Sequence, residues 1–210
     1  MDNSPWRTKD ILLPTLPLAP WLRLAHFAGS DLPQRELHTA YVRTIPDFEL
    51  VLITSGTGWI WSDEHGGSVD LNEGDVAFIP PGYRHGWANE RGTHLAAHFD
   101  FHARPALAAM SHIRVTPKIV QRKPLGFTPK FVLKAEASEP IEIPLVTPLR
   151  DPALWREKFE PLALLYSRRV HHSLGAQLLA AESIGWAMRT LTADAWHAWG
   201  RSPNLTIRAF

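Results

Sequence analysis

Apolar and polar positions alternate with a period of two in the first clear segment of this chain, where Leu22, Leu24 and His26 oppose Trp21, Arg23 and Ala25. That spacing predicts a β-strand over 21–28. A second apolar run, Phe48 to Thr54, leads through Ser55-Gly56-Thr57-Gly58 into Trp59-Ile60-Trp61, which reads as a hairpin. Glycine-rich stretches at 63–68 and 72–74 separate Val69-Asp70-Leu71 from Asp75-Val76-Ala77-Phe78-Ile79. Pro80-Pro81-Gly82 ends that strand, because proline cannot donate to a ladder and glycine accepts a positive φ. This turn puts Tyr83, Arg84, His85 and Trp87 at the mouth of a β structure. Residues 93–102 form a further strand, with His94, Ala96, His98, Asp100 and His102 on one face and Leu95, Ala97, Phe99 and Phe101 on the other. The polar face looks either into a cavity or into solvent. Proline-rich residues 103–148 carry shorter β-like pieces at 118–120, 130–135 and 140–145.

The period then changes. Asp151-Pro152 is a helix start, an N-cap followed by proline in the first turn. Leu154, Trp155, Phe159, Leu162, Leu165 and Tyr166 recur at helical spacing, with Pro161 expected to kink or split the helix. His171-His172-Ser173 is expected to be an exposed joint. Beyond it, Leu174, Leu178, Ala181, Gly185, Met188 and Leu191 form one stripe of a second helix. The stripe either covers the β core or forms a seam between two copies. The expected organisation is therefore an arm over 1–20, a β-barrel over 21–148, a helical dimerisation segment over 149–195, and a linker or the start of a further domain over 196–210.

Composition narrows the function. The chain has 210 residues and no cysteine, which removes disulfides, thiolate metal sites and cysteine nucleophiles. The formal charge of +1 offers no concentrated basic face for phosphates, so nucleic acid is not a partner of these residues by themselves. Prolines at 14, 17 and 20 break the N-terminal apolar segment, and no apolar run reaches the roughly 20 residues of a membrane helix. The expectation is a soluble, cytoplasmic protein without a membrane partner. Nine tryptophans supply stacking surface for cores, interfaces or sugar pockets alike. There is no ordered nucleophile, base and orienter set and no glycine-rich phosphate loop, so no catalytic residue is assigned.

One motif is specific. Gly74, Pro80, Gly82, His85 and Asn89 fill every place of the second cupin signature, and Glu49 and Gly56 fit the second half of the first. The two histidines that should precede Glu49 are missing, their places falling near Arg43 and Ile45. A cupin barrel with depleted metal ligands, followed by two helices, resembles the N-terminal sensing and dimerisation domain of AraC-type transcription regulators. The resemblance implies a mainly β, cupin-like double-stranded β-helix (jelly-roll) barrel with two C-terminal α-helices. It also implies a small-molecule effector such as a sugar, a homodimer formed through the helices, and DNA contacted only through a helix-turn-helix domain. That domain is expected to begin about where this chain ends.

The expected ligand-binding residues are Arg43, Glu49, Trp61, His85, Trp87, His94 and His98. A carboxylate in the apolar strand at Glu49 must be exposed, paired or ligating, and Arg43 is its obvious partner. His85 and Trp87, two apart, share a strand face and offer an imidazole and an indole to a ring ligand, unless His85 only braces its turn. The main expectation is no cofactor. The alternatives are a divalent metal on Glu49, His85 and His98, which would make the chain a metal-dependent cupin isomerase or dioxygenase, and a stand-alone ligand-binding cupin. Residues 12–20 are a candidate lid over the barrel.

Overall fold

The computed structural model describes residues 7–12, 20–30, 37–101, 116–134 and 140–200. Residues 13–19 of the candidate lid, His102 and residues 201–210 lie outside them. Eleven strands precede two helices among the described residues. The axis of the fold is a pair of long strands, β4 (Phe48–Ser62) and β7 (Arg84–Asp100), antiparallel from Phe48 opposite Phe99 to Ser62 opposite His85. At one end of this ribbon β6 (Asp75–Ile79) pairs with β4 and β2 (Trp21–Ser30) with β7. At the other end β5 (Gly67–Asn72) pairs with β4 and β3 (Leu37–Thr44) with β7. β8 (Thr116–Gln121) extends β3, and β11 (Val146–Pro148) extends β6. A second, three-stranded sheet has the order β1 (Arg7–Leu12), β9 (Lys130–Lys134), β10 (Ile141–Pro144), with β1 parallel to β9. Thus part of the stretch expected to be an arm is a paired strand. The fold is the expected mainly β cupin barrel with two helices after it.

Ser55-Gly56-Thr57-Gly58 does not make a hairpin. β4 runs straight through it, because Gly56 lies opposite Gly92 of β7 and each is held at positive φ, 74° and 127°. A Cβ on Gly56 would strike the Arg91 carbonyl, and one on Gly92 the Ser55 carbonyl. The two backbones therefore approach as only glycines allow, and irregular register on either side bends the ribbon from one half of the barrel to the other.

Helix α1 (Pro152–Ser167) starts as expected, with the Asp151 carboxylate accepting from Leu154 N at 3.0 Å. It continues through Pro161 as one helix, clamped to the barrel by buried Trp155, Phe159, Leu162 and Ala163. Helix α2 (Leu174–Gly200) packs on the barrel with only part of the expected stripe, Leu191. Its buried face is Ala176, Ala180, Ile184, Ala187 and Leu191, whereas Leu174 and Leu178 are 77% and 63% exposed. Small side chains let α2 lie close on the barrel, and the leucines turn outward. At the joint His171 is buried rather than exposed, its ring 4.4 Å from Tyr166. No helix among the described residues is long and apolar enough to cross a membrane.

Candidate functional site

The barrel interior takes its polar residues from alternate positions of four strands. On β4 and β7, Glu49, Val51 and Ile53 stand opposite His98, Ala96 and His94. β2 brings Leu24, His26 and Ala28 against the same three positions of β7, and β3 brings Arg43 opposite His85. Every residue from Leu95 to Phe101 is buried, so the polar face of this strand looks inward and not into solvent.

Arg43 and Glu49 are paired. Arg43 Nη2 donates to both Glu49 oxygens, at 2.8 and 2.7 Å, and Arg43 Nε donates to His85 Nε2 at 3.3 Å. Because His85 Nε2 accepts, its proton is on Nδ1, which donates to the Tyr83 carbonyl at 3.0 Å. His98 lies between two carboxylates. Its Nδ1 is 3.3 Å from Asp47 Oδ1, and its Nε2 is 3.1 Å from Glu49 Oε1, a charge contact off the line of a good hydrogen bond. Arg23 in turn lies 3.7 Å from Asp47 and 3.8 Å from Asp100.

Burial and partners split the histidines into two charge states. Burial alone would lower His98, but Glu49 and then Asp47 outweigh it and hold the imidazolium up to about 9. Burial lowers His85 to about 4, which keeps it neutral despite the nearby Glu49. Burial also lowers His94 to about 4, helped by His26, itself lowered by burial and by His98. Burial would raise Glu49, yet His98, Arg43 and His85 together pull its carboxyl well below the ordinary range. The buried carboxylates Asp47, Glu49 and Asp100 therefore face the cations Arg23, Arg43 and His98, and the cluster is balanced.

The signs set a pH profile. His98 is raised, so its contribution is complete below its ordinary 6.5 and is lost as pH rises through about 9. His85 and His94 are lowered, so theirs is present above 6.5 and is lost as pH falls towards about 4. Urea unfolding between about pH 5 and 10 is expected to show greatest stability near neutrality. His98→Gln is expected to flatten the alkaline limb and leave the acid limb in place.

These placements sort the expected ligand-binding residues. Arg43, Glu49, His85 and His98 form one cluster, in which His85 and His98 are fully buried and Glu49 is 2% exposed. His85 is the second residue of β7, just after the turn as expected, and both its nitrogens are engaged. The half-open surface belongs to Arg43, whose side chain is 24% exposed, and to Trp87, His94 and His26. The His94 ring lies edge-on to Trp87 at 5.3 Å and to His26 at 5.7 Å. Trp61 is not part of the group. It lies between Ile60 and Ser62, which pair with Trp87 and His85, so it points to the opposite face, into a separate cluster with Val42, Trp59 and Val120. The sequence reading missed His26, whose signal was its place in the period-two pattern of β2. Asp47 and Arg23 were missed as well.

A divalent metal, which the cupin fold suggests, does not suit this donor set. The Glu49 oxygens are taken by Arg43 and His98, the His85 lone pair by Arg43 Nε, and His98 is held as a cation. Among the described residues no group of three or more histidine or carboxylate side chains is arranged to hold a metal ion. A guanidinium sits among the groups that would otherwise ligate.

Fold and site together define a cupin-type ligand-binding barrel. The chain belongs to the family of AraC-like ligand binding domains, whose profile matches residues 26–180. No curated protein matches the chain. Solved structures similar to it include the polyketide cyclase RemF from Streptomyces resistomycificus, at 15% identity over 37% of this chain and 51% of that one, with a TM-score of 0.29. An oxalate decarboxylase from Bacillus subtilis is 20% identical over 38% of this chain and 21% of its own, with a TM-score of 0.29. The chain thus spans about half the length of the cyclase and about a fifth of the decarboxylase.

Proposed function

We propose that this chain is the effector-sensing domain of an AraC-type transcription regulator, and that it binds a small molecule in the barrel without metal and without catalysing a reaction. The observation that carries this reading is Arg43, whose guanidinium joins Glu49 and His85 while its side chain stays 24% exposed. Arg43 Nη1, free of hydrogen-bond partners among the described residues, would donate to a ligand oxygen. Neutral His26 and His94 would donate or accept at hydroxyls, and Trp87 would stack on a ring. Because the buried charges are already balanced, an uncharged hydroxylated ligand such as a sugar suits the wall better than an anion, which would add a buried charge without a partner. Two copies would pair through the outward leucines of α2, and DNA would be met by a helix-turn-helix domain of the same regulator.

A metal-dependent cupin enzyme is the second reading, since Glu49 lies 3.9 Å from His85 and 3.1 Å from His98. A thermal-shift screen of neutral sugars and small aromatic compounds separates the two. We expect a hit that raises the melting temperature of wild type equally with and without EDTA, and no shift in Arg43→Ala. A shift abolished by EDTA would support the enzyme instead.

A further inference from the structure

We propose that a line of polar contacts, carried from Arg23 to Leu22 by the β2 backbone, couples the barrel wall to helix α2, with Gln177 as its outlet. It begins at Arg43, the partly exposed member of the cluster, and passes through Glu49 to His98, at 2.7 and then 3.1 Å. His98 meets Asp47 at 3.3 Å, and Asp47 meets Arg23 at 3.7 Å. Arg23 is the extra residue of a bulge in β2, since Leu22 pairs with Phe99 and Leu24 with the adjacent His98. A bulge is where a strand can change its local shape with least disturbance of its ladder. Next to it, the Gln177 amide takes both backbone groups of Leu22. Leu22 N donates to Gln177 Oε1 at 3.0 Å, and Gln177 Nε2 donates to the Leu22 carbonyl at 3.1 Å. The same Nε2 donates to the His171 carbonyl at 2.6 Å, which ties in the joint between the helices.

Three features make this more than proximity. Gln177 is 4% exposed and its amide is spent wholly on other elements, so α2 is fastened to β2 by directed bonds as well as by its alanine face. Asp47 and His98 are fully buried, so a displaced charge has no water to turn to and its partner must follow. The ion pairs of Arg23 are the loosest joints of the line and lie at the bulge. A ligand that draws Arg43 away from Glu49 would thus be felt at Leu22 and the first turns of α2. This use of the line as a signal rests on the proposed effector site, whereas the coupling itself is testable without any effector.

The test is amide hydrogen exchange of the full chain, reading residues 174–180 of α2 against the β6 core as a measure of global opening. The variants are Asp47→Asn, Gln177→Ala, the two combined, and Arg122→Gln, which breaks an exposed pair with Asp70 as a control. Asp47→Asn and Gln177→Ala are each expected to speed exchange at 174–180 by about tenfold relative to β6, and the double variant by no more than the larger single change. Arg122→Gln should change neither region. Should Asp47→Asn fail to fold, Arg23→Lys, which keeps the charge but loses the fork, is expected to give the same local effect. Exchange at 174–180 that tracks β6 in these barrel variants, or effects that simply add, would overturn the proposal.

Discussion

Replacing Glu49 by Gln is expected to destabilise the chain by about 3–5 kcal/mol, the range for removing one partner of a buried ion pair. The glutamine is nearly isosteric, so packing is preserved and the loss is electrostatic. It leaves Arg43 without its carboxylate, and His98 with only Asp47 to hold its proton. Arg43 can turn part of its guanidinium to solvent, which favours the lower end of the range, but His98 has no exposed surface. The measurement is urea unfolding at neutral pH, and a second variant identifies the cause: Arg43→Gln combined with Glu49→Gln should lose less than the two single changes added together. A loss below about 1 kcal/mol, as for a solvent-exposed pair, would mean that the cluster is not the buried network described.

Gly92→Ala is the second large effect. An alanine at a φ of 127° is already strained, and here its Cβ would also collide with the Ser55 carbonyl across the ribbon. Neither backbone can withdraw without breaking the β4 and β7 ladder that the whole barrel shares. A loss of at least about 3 kcal/mol is expected, read as a fall in the urea midpoint or in soluble yield. Gly66→Ala is the comparison. Its φ is 62° but its Cβ would meet nothing, so only the conformational strain of about 1 kcal/mol should appear. Equal losses at the two sites would show that the close crossing is not what Gly92 provides.

What was legible in the sequence follows the range of the forces involved. The turn from Gly74 to His85 was readable because proline and glycine act on their own backbone, and that stretch located the barrel. The same local chemistry misled at Ser55-Gly56-Thr57-Gly58, where the glycine answers to a strand more than thirty residues away. Helical spacing found α2 but could not say what its stripe meets: Leu191 is buried, Leu174 and Leu178 are exposed, and the close packing on the barrel uses alanine. Arg43 and Glu49 could be paired on the page, since a carboxylate in an apolar strand demands a partner. Asp47 gave no such signal: after Pro46 it looks like an ordinary turn residue, and its contacts with His98 and Arg23 explain its burial. His85 was expected either to meet a ligand or to brace its turn, and its nitrogens are engaged by Arg43 Nε and the Tyr83 carbonyl.

The central claim is that a guanidinium, and not a metal ion, completes the barrel site. The most direct measurement is the ligand-induced shift in melting temperature for wild type, wild type treated with EDTA, and Arg43→Ala. The account predicts the same shift in the first two and none in the third. A shift that vanishes with EDTA, or persists without Arg43, would contradict it.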